Sequence, residues 1–244
     1  MRKPVEVTAY GIGLLLIVSG VVHLGVFLAD DVPWAGPVSW RKPVTFGLSF
    51  GLTLITVVWI TRHLVLGDRA RAWLLGVFTA DCALEVAGIT LQAWRGVPSH
   101  FNTGTPVDRA VATTLAVGGV ILVVVLGAYA VTALRGRVRG PADMRLAVRA
   151  GFGLLLVSLA SGIAMIARGT VLLRTEGAPA AYSEGGFLKP VHGVALHAVL
   201  VLPLLAVALR RLGRDERERT RVMAVATVLY VAATVGALVI SFTL

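Results

Sequence analysis

The chain has a single cysteine, Cys82, among 244 residues, so no intramolecular disulfide can be part of its fold. It also lacks the apolar periodicity of a soluble helix or strand. Its apolar residues stand instead in runs of roughly 20, the length that crosses a hydrocarbon core of about 30 Å. A usable leader-cleavage site is missing as well. Met1-Arg2-Lys3-Pro4 and the apolar stretch behind it imitate a secretory leader. That stretch extends from about residue 7 to 28 and closes on Phe27-Leu28-Ala29, too long for a cleaved segment and poorly suited to cleavage. It is expected to remain as the first membrane helix.

What the chain has in excess is apolar surface. Hydrophobic residues make up 57% of it, against roughly 45–50% in soluble domains, and the mean hydropathy is +0.83. Seven runs stand at about 7–28, 44–61, 72–94, 106–134, 147–168, 190–209 and 222–243. The predicted fold is all-α, an integral membrane bundle of seven transmembrane helices forming one membrane domain over residues 1–244. In a soluble protein a net charge of +10 would point to nucleic acid. Here the basic residues lie between the apolar runs, so they read as topology signals and no nucleic-acid partner is expected. Sixteen of the 23 Lys and Arg fall at the N-terminus and in the second, fourth and sixth connections; the other three connections hold seven. The positive-inside rule then places the N-terminus inside and the C-terminus outside, the split that an odd number of spans requires. The richness in Ala, Val, Gly and Arg points to a high-GC bacterium. The expected location is a bacterial cytoplasmic membrane, with the lipid bilayer as first partner.

The inner connections are short and basic, with turn signals such as Gly140-Pro141. The outer ones hold Trp34, Trp40 and Trp94, the longest connection (about 169–189), and most of the polar chemistry other than arginine. Each Trp taken singly fits an interfacial aromatic belt. The role of the 169–189 connection stays open. One echo, Gly11-Ile12-Gly13-Leu14-Leu15-Leu16 against Gly151-Phe152-Gly153-Leu154-Leu155-Leu156, has two readings: a parallel repeat, or close helix packing at small residues. Packing is preferred.

Ionisable groups inside a bilayer cost several kcal/mol unless partnered. Asp81 and Glu85 lie near the middle of the third span, four apart and so on one face, which Gln92 extends outward. Two adjacent carboxyls in low dielectric do not both ionise. They read either as a proton or cation site, or as a pair bonded to a serine such as Ser49, Ser158 or Ser161. His23 lies in the outer half of the first span, and His192 and His197 open the sixth behind Pro190. Five residues apart, His192 and His197 do not make the i, i+4 clamp of zinc hydrolases. One of them can pair with His23 at matching depth, as the ligands of a haem b or another metal do. Arg41, Arg95 and Arg109, with Lys42 on the same side, suit haem propionates, lipid phosphates or an anionic small molecule. In the third connection, Thr105, Pro106 and Asp108 read as a helix cap, whereas Ser99, His100 and Asn102 have no such structural role and suit a lid over an outward pocket or an ordinary polar loop. Retinal chemistry is excluded, since the seventh span has no lysine for a Schiff base.

Three stretches stand out: Trp40-Arg41-Lys42-Pro43; Gln92-Ala93-Trp94-Arg95-Gly96 with Ser99-His100-Phe101-Asn102; and His192 with His197-Ala198 leading to Leu202-Pro203. Together they resemble a family of bacterial polytopic membrane proteins to which no activity is assigned. The resemblance covers about residues 38 to 205 and implies the same outward cluster without supplying a mechanism. The stretch Ala178 to Gly186 departs from it, the family's fifth loop being shorter.

Three functional readings follow. The leading one is a redox or cofactor-handling protein with an outward site between the first, third and sixth spans. It would use His23 and His197, with His192, as ligands to haem or a metal, and Arg41, Arg95 and Arg109 at the mouth. The second is a proton-coupled or anion transporter or channel in which Asp81 and Glu85 titrate. The third is a lipid-modifying enzyme built on Ser99, His100 and the arginines. The topology is open to direct test: alkaline phosphatase fused at the C-terminus is expected to be active and the same fusion at Arg137 inactive, with a cytoplasmic fluorescent reporter giving the reverse pattern.

Overall fold

The structure is a computed structural model that describes residues 3–30 and 33–243; Arg2, counted above toward the expected inner side, lies outside the described residues. Helices α1 (Pro4–Ala29), α2 (Arg41–Ile60), α3 (Asp68–Trp94), α4 (Pro106–Leu134), α5 (Ala142–Thr175), α6 (Ala178–Glu184), α7 (Lys189–Arg211) and α8 (Glu216–Ile240) follow in order. A short 3-10 turn over Thr61–His63 follows α2. Among the described residues there is no strand, only one antiparallel bridge between Leu64 and Val138. Among the described residues all helices except α6 are long and apolar enough to cross a membrane, seven in total, and the chain is a multi-pass, all-α membrane protein.

Local chemistry sets the ends. Prolines sit in the first turns of α1 and α7 and open α4, where the missing N–H costs nothing. Asp215 caps α8 by accepting the Glu218 N–H at 2.9 Å. After α3, Gly96 takes φ +65° so that its N–H reaches Ala93 O and the Val97 N–H reaches Gln92 O, a paired closure open to few residues but glycine. The fourth span ends where the sequence placed it, whereas the fifth is longer. A single glycine, Gly169, does not end the helix, and with no proline among residues 169–175 α5 continues to Thr175 and turns only at Gly177. Most of the 169–189 connection is therefore helical, the end of α5 and then α6.

The chain divides into two compact units. One comprises α1, α2 through Trp59, α3, α4 through Val125, and Thr170–Ser183. Within it α1 and α2 meet at glycines. A Cβ on Gly47 would stand 2.8 Å from Gly20 Cα, and one on Gly51 2.6 Å from Gly13 O, so the two backbones are in near contact. At the N-terminal end of α1, Glu6 is buried and pairs with Arg71 of α3 at 2.8 Å.

The other unit comprises Ile60–Gly67, Leu126–Gly169 and the chain from Glu184 onward. There α5 meets α7 closely at Gly151, where a Cβ would stand 2.9 Å from Val199 Cα. Leu188, Val191 and Ala237 form a buried cluster between α7 and α8, and the Tyr230 hydroxyl donates to Val194 O at 2.9 Å. Arg219 donates to the buried Asp143 at 2.9 Å. The glycine echo is not positionally equivalent. Gly13 and Gly151 sit at tight contacts while Gly11 faces open space and Gly153 meets only a distant Leu134 methyl, which fits packing rather than repetition.

Gly47→Val is expected to force α1 and α2 apart and cost about 1–3 kcal/mol, as overpacking does. Gly11→Ala, in open space, should be close to neutral. The midpoints of unfolding by sodium dodecyl sulfate in mixed micelles would compare the two.

Candidate functional site

Asp81 and Glu85 stand one turn apart on α3, each with only 4% of its surface exposed. Both carboxyls turn toward the same point on α4. A Cβ on Gly118 would lie 2.8 Å from Asp81 Oδ1 and in collision with Glu85 Oε1, so the absence of a side chain there is what leaves the carboxyls room. Beside them lies a cavity of about 230 Å³ lined by Asp81, Glu85, Gly118, the hydroxyl residues Thr113 and Thr114, and aliphatic residues that include Leu84 and Leu115. One carboxyl oxygen, Asp81 Oδ2, is buried without a hydrogen-bond partner. Among the described residues neither carboxyl forms an ion pair. Nor do Ser49, Ser158 or Ser161 bond to them; Ser158 and Ser161 serve His192 instead.

Gln92 is not part of this site. Its Nε2 donates to Asp108 Oδ1 at 3.0 Å, and Arg95 Nη1 bridges Gln92 Oε1 at 2.5 Å and the same Asp108 oxygen at 2.6 Å. The other Asp108 oxygen accepts the Thr105 hydroxyl at 2.7 Å, while the Asp108 N–H donates back to Thr105. The expected helix cap thus forms, and the same carboxylate clamps the end of α3 to the start of α4. Arg95 is consumed in that clamp, Arg109 is exposed, and Arg41 is half-buried with its Nε unpartnered.

The histidines are spoken for in different ways. His23 is buried; its Nδ1 lies 2.7 Å from Ser19 O, and its Nε2 accepts the Trp94 indole N–H at 3.0 Å. Trp40 stands edge-on to Trp94 with ring centres 5.0 Å apart and donates to Asp30 at 2.6 Å. In the other unit His192 donates from Nδ1 to Ser158 O at 2.8 Å, and the Ser158 hydroxyl answers by donating to His192 O at 3.0 Å. His197 is exposed and tied only to Gly193 O, one turn back. A haem b held by two imidazoles needs a free nitrogen from each. His23 has both nitrogens engaged, and His192 and His197 diverge, one half-buried and bonded to Ser158 of α5, the other exposed. Among the described residues no three His, Cys, Asp or Glu side chains are grouped to hold a metal. As arranged, these residues do not fit the proposed haem or metal.

The third connection is ordered by α6. The Tyr182 hydroxyl donates to His100 O at 2.6 Å, and Lys42 stands 5.7 Å from the Tyr182 ring centre. Ser99 Oγ lies 2.9 Å from His100 Nδ1, and Asn102 bonds Pro98 O and the Gly104 N–H. Phe101 adopts φ +57°, rare for a bulky residue. Burial, and then the Lys42 charge, push the His100 pKa down to about 4, while burial pushes the Tyr182 phenol up to about 12. His100 is therefore neutral at pH 7, and no carboxylate among the described residues is bonded to it.

Comparison of the chain with protein-family models, with curated protein sequences and with solved structures finds no match. The site rests on its own geometry.

Several working residues escaped the sequence reading. Gly118, in the pair Gly118-Gly119 of an otherwise Ala- and Val-rich span, lies at the carboxyls' depth and was the available signal. Asp108 read as a cap alone, and nothing in sequence pairs Trp94 with His23 or Tyr182 with His100.

The depressed His100 pKa has a stability consequence. An unfolded chain takes up its proton near pH 6.5 and the folded one only near 4, so the stabilisation is complete above 6.5 and is lost as pH falls between those values. The loss is on the order of 2 kcal/mol by pH 5. Thermal unfolding in detergent at pH 7 and pH 5 should show a smaller acid-induced drop in His100→Gln than in the parent.

Proposed function

We propose that this protein is a proton-coupled transporter of the bacterial cytoplasmic membrane, N-terminus inside, with Asp81 and Glu85 as the titrating groups. The observation that carries the reading is the convergence of two buried carboxyls on Gly118 beside a cavity, with one Asp81 oxygen unpartnered. A buried carboxylate without a partner costs several kcal/mol, so the empty pair holds protons and at most one negative charge. A cation in the cavity reverses the balance, because it stabilises the ionised form and drives a proton off. Binding and proton release are then coupled by electrostatics alone, which is the elementary step of exchange.

The alternatives draw less support. A redox role needs a free imidazole nitrogen that His23 does not offer while Trp94 donates to it. A lipid-modifying role would start from Ser99 and His100, but Ser99 is buried and His100 has no orienting acid. The likeness of the three sequence stretches to a bacterial membrane family is part of the same proposal and supplies no activity.

The test is a pH-difference infrared spectrum of the protein in lipid nanodiscs. A protonated-carboxyl band that disappears as pH rises is expected, diminished in Asp81→Asn and in Glu85→Gln and absent when the two substitutions are combined. His23→Ala should leave it unchanged. A spectrum with no titrating carboxyl, or a Soret band in the purified protein that is lost in His192→Ala, would end the proposal in favour of the redox reading.

A further inference from the structure

We propose that the cation taken by the Asp81–Glu85 site is a small lipophilic amine in its protonated form, admitted sideways from the bilayer between α3 and α4. The proposal rests on the carboxyl pair being the working site and names its substrate class.

The lining selects the charge. Two carboxyls and the Thr113 and Thr114 residues are its polar members, and no basic side chain lines the cavity. A hard metal cation seeks six or more oxygens and usually keeps water among them. The remaining walls, Leu84, Leu115, Val117 and Ile121, are aliphatic and offer neither oxygen nor a hydrogen bond to such water. An ammonium group suits the set better, because its few N–H donors are satisfied by two carboxyls and a hydroxyl while its hydrocarbon body meets the aliphatic walls. A quaternary ammonium has no N–H to give, and the cavity has none of the aromatic rings that recognise such ions. At about 230 Å³ the cavity is below the roughly 300 Å³ at which drug-sized sites begin, so the occupant is small.

The rim selects the route. Leu84 and Val117 are 56% and 54% exposed, and Thr113 and Thr114 are exposed beside them. Asp81 stands about 20 Å along α3 from either end. At that depth an exposed aliphatic rim on a membrane helix meets acyl chains rather than water. A membrane-dissolved amine arrives as the neutral base or with its ammonium among the headgroups, and inside the cavity it is held as the ammonium. When the ammonium enters, it pairs with one carboxylate and that carboxyl's proton leaves; when the neutral amine enters, the carboxyl's proton moves to nitrogen and none is released.

The experiment perfuses nanodisc-embedded protein at fixed pH with n-hexylamine hydrochloride and follows the carboxyl bands by infrared. A saturable loss of the protonated band with gain of carboxylate is expected, absent when Asp81→Asn and Glu85→Gln are combined. Sodium and tetramethylammonium chlorides should be at least about tenfold weaker. Val117→Trp, which narrows the opening between α3 and α4, should slow the approach to saturation by hexylamine. If the band titrates with pH but ignores hexylamine, or answers tetramethylammonium equally, the amine assignment falls and the carboxyl pair stands. If Val117→Trp responds as fast as the parent, the lateral route falls. A band that neither titrates nor responds overturns this inference and the transport reading together.

Discussion

Lipid cannot donate or accept a hydrogen bond, and every polar group in the spanning helices is placed under that constraint. The commonest solution is local. Thr79, Thr132, Thr234 and Ser241 each donate to the carbonyl one turn back on the same helix, at 2.6–2.9 Å. His23 and His197 use the same device through Nδ1. Larger polar groups are satisfied across helices: Gln92, Arg95 and Asp108 form one network, His192 with Ser158 and Ser161 another, and Arg219 with Asp143 a third. Such networks hold because removing one member leaves the others buried and unpaired.

Single atoms such as Thr90 Oγ1 and Thr227 Oγ1 are also buried without a partner, but the Asp81–Glu85 pair combines an orphaned oxygen with two acidic groups. The chain supplies no counter-charge among the described residues, leaves one oxygen without a partner, and provides space where a partner would otherwise sit. Gly118 is central to this. Alanine at the same place would press on both carboxyls, so the glycine keeps them close to α4 and to each other. Like groups at that separation share protons rather than hold them independently. A site of this kind responds to a cation that can pair with one of its carboxylates.

Membrane spans were readable because length and hydropathy alone set them, and α4 begins and ends where its apolar run does. The extension of α5 was not, since residues 169–175 are less apolar yet continue a helix that nothing breaks until Gly177. Within the site, the carboxyls were legible from their spacing and their place in an apolar run. Their partner was not, because a glycine announces itself only by what it lacks. By spacing Gln92 extends the carboxyl face, and helical spacing alone cannot show that Asp108, sixteen residues on, claims it. The tryptophans fitted an interfacial belt by composition, yet Trp94 spends its N–H on His23.

By itself the amino-acid sequence determined the solvent of this protein, the number of its crossings and the existence of buried carboxyls. Each of these follows from residue type and from distances along one chain. Only the tertiary structure decided which polar groups are satisfied and which are left open, because a hydrogen bond depends on atoms brought within about 3 Å from separate helices. That distinction separates Arg95, already paired, from Asp81, still able to accept, and no spacing within one helix records it.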